Sequence, residues 1–420
     1  MATQSTPAGS CAVPAAAPSD GLRYVARQPI LDLHNRVHGY ELLFRKGPEH
    51  VFRGDGNLAT RTMLDNTVMF GLERLTAGLP AFVNCTREAL LESLVQVLPS
   101  GMTVLEILET IEPVPPLVQA CRDLKAMGYR LALDDFTWRP GIESLVEMAD
   151  YIKFDFLATG PRQREEILRR LGGAKVALVA EKVETQEQFT QACDQGFSLI
   201  QGYYFCRPVL LENHKVPLNR LTQINILRAL QEDPVDLPAL ARLIKRDASL
   251  TYRLLRLINS PVCAMRQEVS SVLAALLAVG EDVFRRMALL AITSELNAHR
   301  PTEILRMAFI RGQFCELAAP LCALNSTEQY LLGLFSLLPA MLRIPMDDLT
   351  PLLPLREPIR QALQGADIPE RSLLAWAIAH EYGDWEACDA LAAAYSLDDE
   401  KLSRCYTEAV EWTEAALQFA

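Results

Sequence analysis

The sequence lacks the features of a disulfide scaffold, a membrane span or a nucleic-acid-tracking surface. Its ten cysteines run from Cys11 to Cys405 without a single CxxC pair, which points to reduced thiols in a cytoplasmic protein and away from a disulfide or zinc framework. Positive charge is in deficit, with a net charge of −11, so a surface built to track a DNA or RNA polymer is excluded. No apolar run is long enough to span a bilayer: the most apolar, YLLGLFSLLPAMLRIP (330–345), is broken by Pro339. The opening MATQSTPAGSCAVPAAAPSDG has neither the basic region nor the apolar core of a secretion signal, and residues 1–21 are expected to be a disordered tail. What remains is a chain of 420 residues, 50% hydrophobic, large enough for two cores.

Two grammars divide it. From Arg23 to about Pro208, eight β-rich runs alternate with helical stretches. The runs are YVARQPI, VHGYELLF, AFVNCT, TVLEILE, YRLALDD, YIKFDF, KVALVAEKV and LIQGYYF. Helical patterns lie between most of the later runs, at 87–98, 115–128 and 185–196. Near-continuously apolar strands separated by helices indicate a parallel sheet, and eight of them in so short a chain fit a (β/α) barrel better than an open sheet. The first two runs are close enough to pair as a hairpin, which would make the barrel irregular. After NHKVPLNR (213–220) only helices are expected, over 237–259, over 271–297 with Gly280 at a junction, and over 371–395.

In the first half, polar residues stand at the ends of apolar runs: Glu41, Asn84, Glu106, Glu109, Asp134, Asp135, Lys153, Asp155, Glu181, Glu184 and Gln201. Any one such acid is more often a helix cap or a solvated loop residue than a ligand, and on these grounds Asp155 and Glu184 stay unassigned. Together they mean more. The carboxyl ends of barrel strands converge on one mouth, where several carboxylates would repel one another and stay protonated unless cations neutralised them. Histidines are absent from the set. Oxygen ligands alone favour a hard divalent ion, Mg²⁺ or Mn²⁺, over zinc, and a pair of such ions suits phosphate ester hydrolysis.

In this order, ELLFR, FVN, LEILET, LDDF, IKFD, AEKVET and QGYYFCRP resemble the EAL-type cyclic di-GMP phosphodiesterase domain, over residues 22–210. The resemblance implies a TIM-like barrel with one reversed strand, a two-metal site of Mg²⁺ or Mn²⁺, and cleavage of cyclic di-GMP to linear pGpG. It implies Glu41, Asn84, Glu106 and Asp134 as ligands of one metal, and Asp134, Asp135 and Glu181 as ligands of the other. Lys153 would hold and polarise the attacking water, so Lys153, Glu181 and Asp135 are the expected catalytic residues. Arg45 and Gln201 would contact substrate, and Glu109 would steady the loop after the DD pair. The chain departs from the pattern at Leu42, where the signature has alanine, at DDFTWRPG (134–141), where it has DDFGTG, and at Lys182, where it has glycine. Losing glycine and gaining proline should send that loop along another path.

The second half, 215–410, resembles an HDOD domain through LIKRDASLTYRLLRLINSPV (243–262) and VGEDVFRRMALLA (279–291). Where an HD-type enzyme carries His-Asp, GLFSLLPAM (333–341) puts Ser336 and Leu337, which cannot hold a metal. Asn259 and Ser260 are expected to end a helix. The order, with ELL for EAL, is similar to the YuxH-like signalling proteins of bacteria. Three readings follow: a phosphodiesterase whose HDOD half regulates it or binds a protein partner, an inactive cyclic di-GMP receptor or scaffold, and a two-metal barrel acting on another phosphate ester. A homodimer is plausible by resemblance.

Overall fold

The computed structural model describes residues 25–44 and 72–206, isolated positions from 226 on, then 248–259, 271–296, 302–342, 344–353 and 355–417. The expected tail over 1–21, Arg45, Ser260 and the change of grammar at 213–220 lie outside the described residues.

All eight runs form strands: β1 (Val25–Asp32), β2 (Val37–Phe44), β3 (Ala81–Cys85), β4 (Thr103–Ile107), β5 (Arg130–Leu133), β6 (Tyr151–Asp155), β7 (Ala177–Glu181) and β8 (Leu199–Gln201). They close into one barrel in sequence order. Strand β1 runs antiparallel to both neighbours, β2 and β8, and the remaining pairs are parallel. The reversed strand is therefore β1. The hairpin forms because Asp32 turns the chain, its Oδ1 accepting from the amides of His34 at 2.8 Å and Arg36 at 2.9 Å, while Asn35 takes a left-handed φ of 60°.

Helices Pro115–Ala126, Pro161–Leu171 and Gln186–Asp194 follow β4, β6 and β7. Two begin with proline, whose missing N–H costs nothing in a first turn, and the third with a Thr185/Gln188 capping box. The single helix expected over 87–98 is instead broken into Arg87–Leu91 and a 3₁₀ turn, Leu94–Val97, by Ser93 at φ 55°. Inside the barrel, Ile30, Phe82, Val104, Ala132, Tyr151, Val179 and Leu199 form an apolar plug.

In the second half every regular element among the described residues is helical, from Ala248–Ile258 to Asp399–Leu417, a helix that runs past position 410. Gly280 separates Val272–Val279 from Glu281–Leu296, and 371–395 contains Ser372–Tyr382 and Trp385–Ala394. Asn259 is structural: its side chain clips Val269, accepting from the amide at 2.8 Å and donating to the carbonyl at 2.9 Å.

A hairpin leaves no crossover helix to cover its outer face, and here the helical half covers it. Tyr40 on β2 donates to Glu303 at 3.0 Å, and Arg27 on β1 pairs with Glu414 at 2.8 Å. Arg306 ties the two acids together, at 2.8 Å to Glu303 and 3.0 Å to Glu414. Two guanidinium groups face two carboxylates, so the largely buried network is balanced in charge. Gly383 lies close against β2: at φ 67°, a Cβ there would stand 2.7 Å from Leu43 Cδ1.

Candidate active site

Strand parity builds the site. Side chains two residues apart share a face, so the position two beyond each plug residue points into the barrel one layer nearer the mouth. Those positions are Asn84, Glu106, Asp134, Lys153, Glu181 and Gln201, with Gln28 two before Ile30 on reversed β1. Glu41 pairs with Gln28 in the β1–β2 register and completes the ring. Every strand contributes one polar group to a layer floored by apolar side chains.

Lys153 lies at the centre with no exposed surface. Its Nζ is 2.6 Å from Glu106, 2.7 Å from Glu181, and 3.0 Å from both Glu41 and Asp134. Glu41 also accepts from Asn84 at 3.0 Å and from Gln201 at 2.6 Å. One ammonium cannot balance four acids, and the proton affinities show it. Burial raises Glu41, but Lys153 and the hydrogen bonds from Gln201 and Asn84 overcome it and hold Glu41 below the usual carboxylate range. Burial pushes Glu106 well above that range, with Glu41 and Asp134 adding to the rise against Lys153. Burial likewise raises Glu181 to about 8, with Lys153 opposing and Asp134 and Glu41 reinforcing. Asp134 and Asp135 are raised too, chiefly by burial. Lys153 itself is driven far up by the surrounding acids, although burial alone would lower it.

Asp135 stands outside the ring, turned at φ 39° beside the pocket at the mouth. Asn84 Oδ1, Asp135 Oδ1 and Glu106 Oε2 are buried without a hydrogen bond, while Glu106 Oε1 meets the Lys153 ammonium at 2.6 Å. Buried oxygen acceptors of this kind fit a hard divalent cation. Among the described residues, no three acid, histidine or cysteine side chains already surround a metal position.

Leu42 does not crowd Glu41. It faces the other way, buried in the core outside the barrel. The DDFTWRPG loop takes a path fixed by Arg139, whose guanidinium donates to the main-chain carbonyls of Glu109 and, at 2.6 Å, Ile111. Trp138 packs edge-on against Phe136. Glu109 meets this loop through its backbone, and its exposed carboxylate makes no hydrogen bond among those of the described residues. Asp155 caps the turn after β6, accepting from Leu157 and Ala158 at 2.7 and 2.8 Å, and pairs with Lys182. Lys182 has φ 55°, the left-handed geometry glycine favours. Gly202, at φ 140°, allows the chain after β8 to pass Val183, whose carbonyl oxygen would lie 2.3 Å from a Cβ there.

Two contributors escaped the sequence reading. Gln28 joins the ring, accepting from Gln201 at 3.0 Å and donating to the Tyr382 carbonyl at 3.3 Å. Its signal was its parity with Ile30, reversed in direction. Tyr382, from the helical half, lines the mouth, and no local pattern could have announced that.

An acidic, oxygen-rich barrel mouth joined to an all-helical partner defines the class: an EAL-type barrel followed by an HDOD-type domain. An EAL domain model matches residues 80–208, and an HDOD domain model matches 217–339. The chain is 33% identical to "Uncharacterized protein YuxH" of Bacillus subtilis (strain 168), covering 93% of this chain and 97% of that protein. It is 32% identical to "Cyclic di-GMP phosphodiesterase CdgJ" of Vibrio cholerae serotype O1, covering 93% and 92% respectively. A shorter stretch, 25% of this chain, is 35% identical to "Probable cyclic di-GMP phosphodiesterase PdeG" of Escherichia coli (strain K12), covering 23% of that protein. The chain belongs to the YuxH-like family of EAL–HDOD proteins.

Proposed function

We propose that the protein is a divalent-metal-dependent phosphodiesterase that opens cyclic di-GMP to linear pGpG. The observation that carries this reading is the buried Lys153 ammonium held among Glu41, Glu106, Asp134 and Glu181 at the barrel mouth. Relatedness to a cyclic di-GMP phosphodiesterase over nearly the whole chain supports the substrate.

Glu41, Asn84, Glu106 and Asp134 would hold one ion, and Asp134, Asp135 and Glu181 a second, with Mg²⁺ or Mn²⁺ the fit for oxygen donors. Bound there, such ions would supply Lewis acidity, making water more acidic and offsetting phosphate charge. The chain's own groups do the rest. Lys153 is a fixed cation where negative charge develops, and its burial makes that charge count. Asp135 offers an acceptor for the water's proton. Gln201 orients Glu41 and borders the substrate, and Arg45 is assigned to a phosphate oxygen. Water oxygen bonds to phosphorus, the P–O3′ bond breaks, and the ribose oxygen takes a proton.

We place the barrel domain at 22–210 and the HDOD half at 215–410. The HDOD half serves as an interaction module for a protein partner, because Ser336 and Leu337 replace metal-binding chemistry. Among the described residues nine cysteines are free, which suits the cytoplasm, and no helix is long and apolar enough to cross a membrane. A homodimer completes the proposal.

One observation favours a second reading, a cyclic di-GMP receptor without turnover: the loop after Asp135 is rebuilt as FTWRPG (136–141), its path set by Arg139 donating to the main-chain carbonyls of Glu109 and Ile111. Chromatography of cyclic di-GMP incubated with the protein, with and without Mg²⁺ or Mn²⁺, separates the two. The enzyme yields pGpG only with metal, whereas the receptor retains ligand intact.

A further inference from the structure

Resting on that reading, we propose that Tyr382 of the helical half is a substrate-binding residue of the barrel's site, its ring stacking on a guanine base of the dinucleotide. The pocket at the mouth has a volume of about 340 Å³, within the range of small-molecule sites. Glu41, Asp134, Glu181 and Gln201 border it, and so does Tyr382, which comes from the other half of the chain and keeps 40% of its surface exposed.

The ring is held in advance. Tyr203 backs it, with centroids 4.1 Å apart and planes 32° from parallel. The Tyr203 hydroxyl donates to the Glu381 carbonyl at 2.5 Å, and Gln28 donates to the Tyr382 carbonyl at 3.3 Å. Gln28 in turn accepts from Gln201, which donates to Glu41. The backbone of Tyr382 is thus linked to the polar ring through two glutamines.

From the other side, Glu381 is clasped by Arg311, Nε to Oε1 at 2.9 Å and Nη2 to Oε2 at 2.6 Å, and Arg311 also donates to Ser336 at 3.1 Å. Ser336, which the resemblance sets at the metal-binding position of HD-type enzymes, thus helps hold the Arg311 that clasps Glu381, the residue before Tyr382. A fixed aromatic face binds a base with little entropy lost on ordering, and stacking is available to any purine. Part of the substrate site therefore belongs to the HDOD half, and seating of that half sets affinity.

The test compares wild type with Tyr382→Phe, Tyr382→Leu and Tyr382→Ala in the full-length protein. It measures kcat and KM for cyclic di-GMP, and Kd by calorimetry with the metal chelated. Base stacking predicts KM and Kd raised about tenfold or more for Ala and Leu, kcat changed less than about threefold, and Phe within about twofold of wild type. Melting temperatures near wild type for Phe and Leu keep the comparison valid even if Ala unfolds. The proposal is overturned if wild type turns over while Ala or Leu leaves KM and Kd unchanged, or if Phe is as damaging as Ala. If wild type neither binds nor cleaves cyclic di-GMP, this proposal and the function it rests on fall together.

Discussion

Nζ of Lys153 and Oε1 of Glu106 lie 2.6 Å apart, and neither side chain has any exposed surface. Such a pair depends on its neighbours, because each ion has given up its water. Lys153 is the one cation within the ring, and replacing it leaves acids with no counter-charge. Lys153→Met is expected to lower stability by about 3–5 kcal/mol and turnover by about 10²–10³-fold. Chemical denaturation and steady-state rates read the two effects, and added Mg²⁺ should restore part of the stability alone.

Glu181 sets a pH dependence. Its pKa in the folded chain, about 8, lies above the ordinary 4.5, so the folded state holds a proton the unfolded state has released. The stabilisation is complete below the ordinary pKa and is lost as pH rises through about 8. In chelator, the melting temperature should fall between pH 5 and pH 8 by more than it does in Glu181→Gln. Equal slopes for both proteins would dissociate Glu181 from the effect.

Gly202 permits the turn that leads from Gln201 to Tyr203. Its φ of 140° and the 2.3 Å between a Cβ and the Val183 carbonyl oxygen leave no room for alanine. Gly202→Ala should cost ~3 kcal/mol or more, seen as a lowered denaturation midpoint, whereas Gly160→Ala, in open space at a helix start, serves as the mild control.

The Arg27–Glu414 pair joins the halves at 2.8 Å. A double-mutant cycle of Arg27→Met and Glu414→Gln should give a coupling of about 1–3 kcal/mol, larger than the value under 1 kcal/mol usual for exposed pairs. Additive losses would mean that the two halves are held by other contacts.

The barrel was legible because burial on both faces wrote each strand as a continuous apolar run, and the polar ring because acids interrupt those runs at one end. Legibility failed where the third dimension decides. Leu42, next to Glu41 in sequence, departs from the alanine of the signature, yet alternation turns it to the core outside the barrel. The break at Ser93 left no local mark within a helical pattern. The main-chain oxygen of Glu109 accepts from Arg139, a contact that residue type cannot reveal. Gln28 hid because a reversed strand reverses the direction in which its layer is counted. Tyr382 lies 341 positions from Glu41 by residue number (382 − 41), and only the docking of two domains brings both to one pocket.

The central claim, that the ring around Lys153 performs metal-dependent hydrolysis, is tested most directly by following binding and product together for wild type and Glu41→Gln. The substitution keeps the size and removes the charge. The account predicts that both proteins bind cyclic di-GMP, that wild type with Mg²⁺ or Mn²⁺ releases pGpG, and that Glu41→Gln loses at least about 10²-fold in rate. Bound but uncleaved cyclic di-GMP on wild type at saturating metal would contradict it.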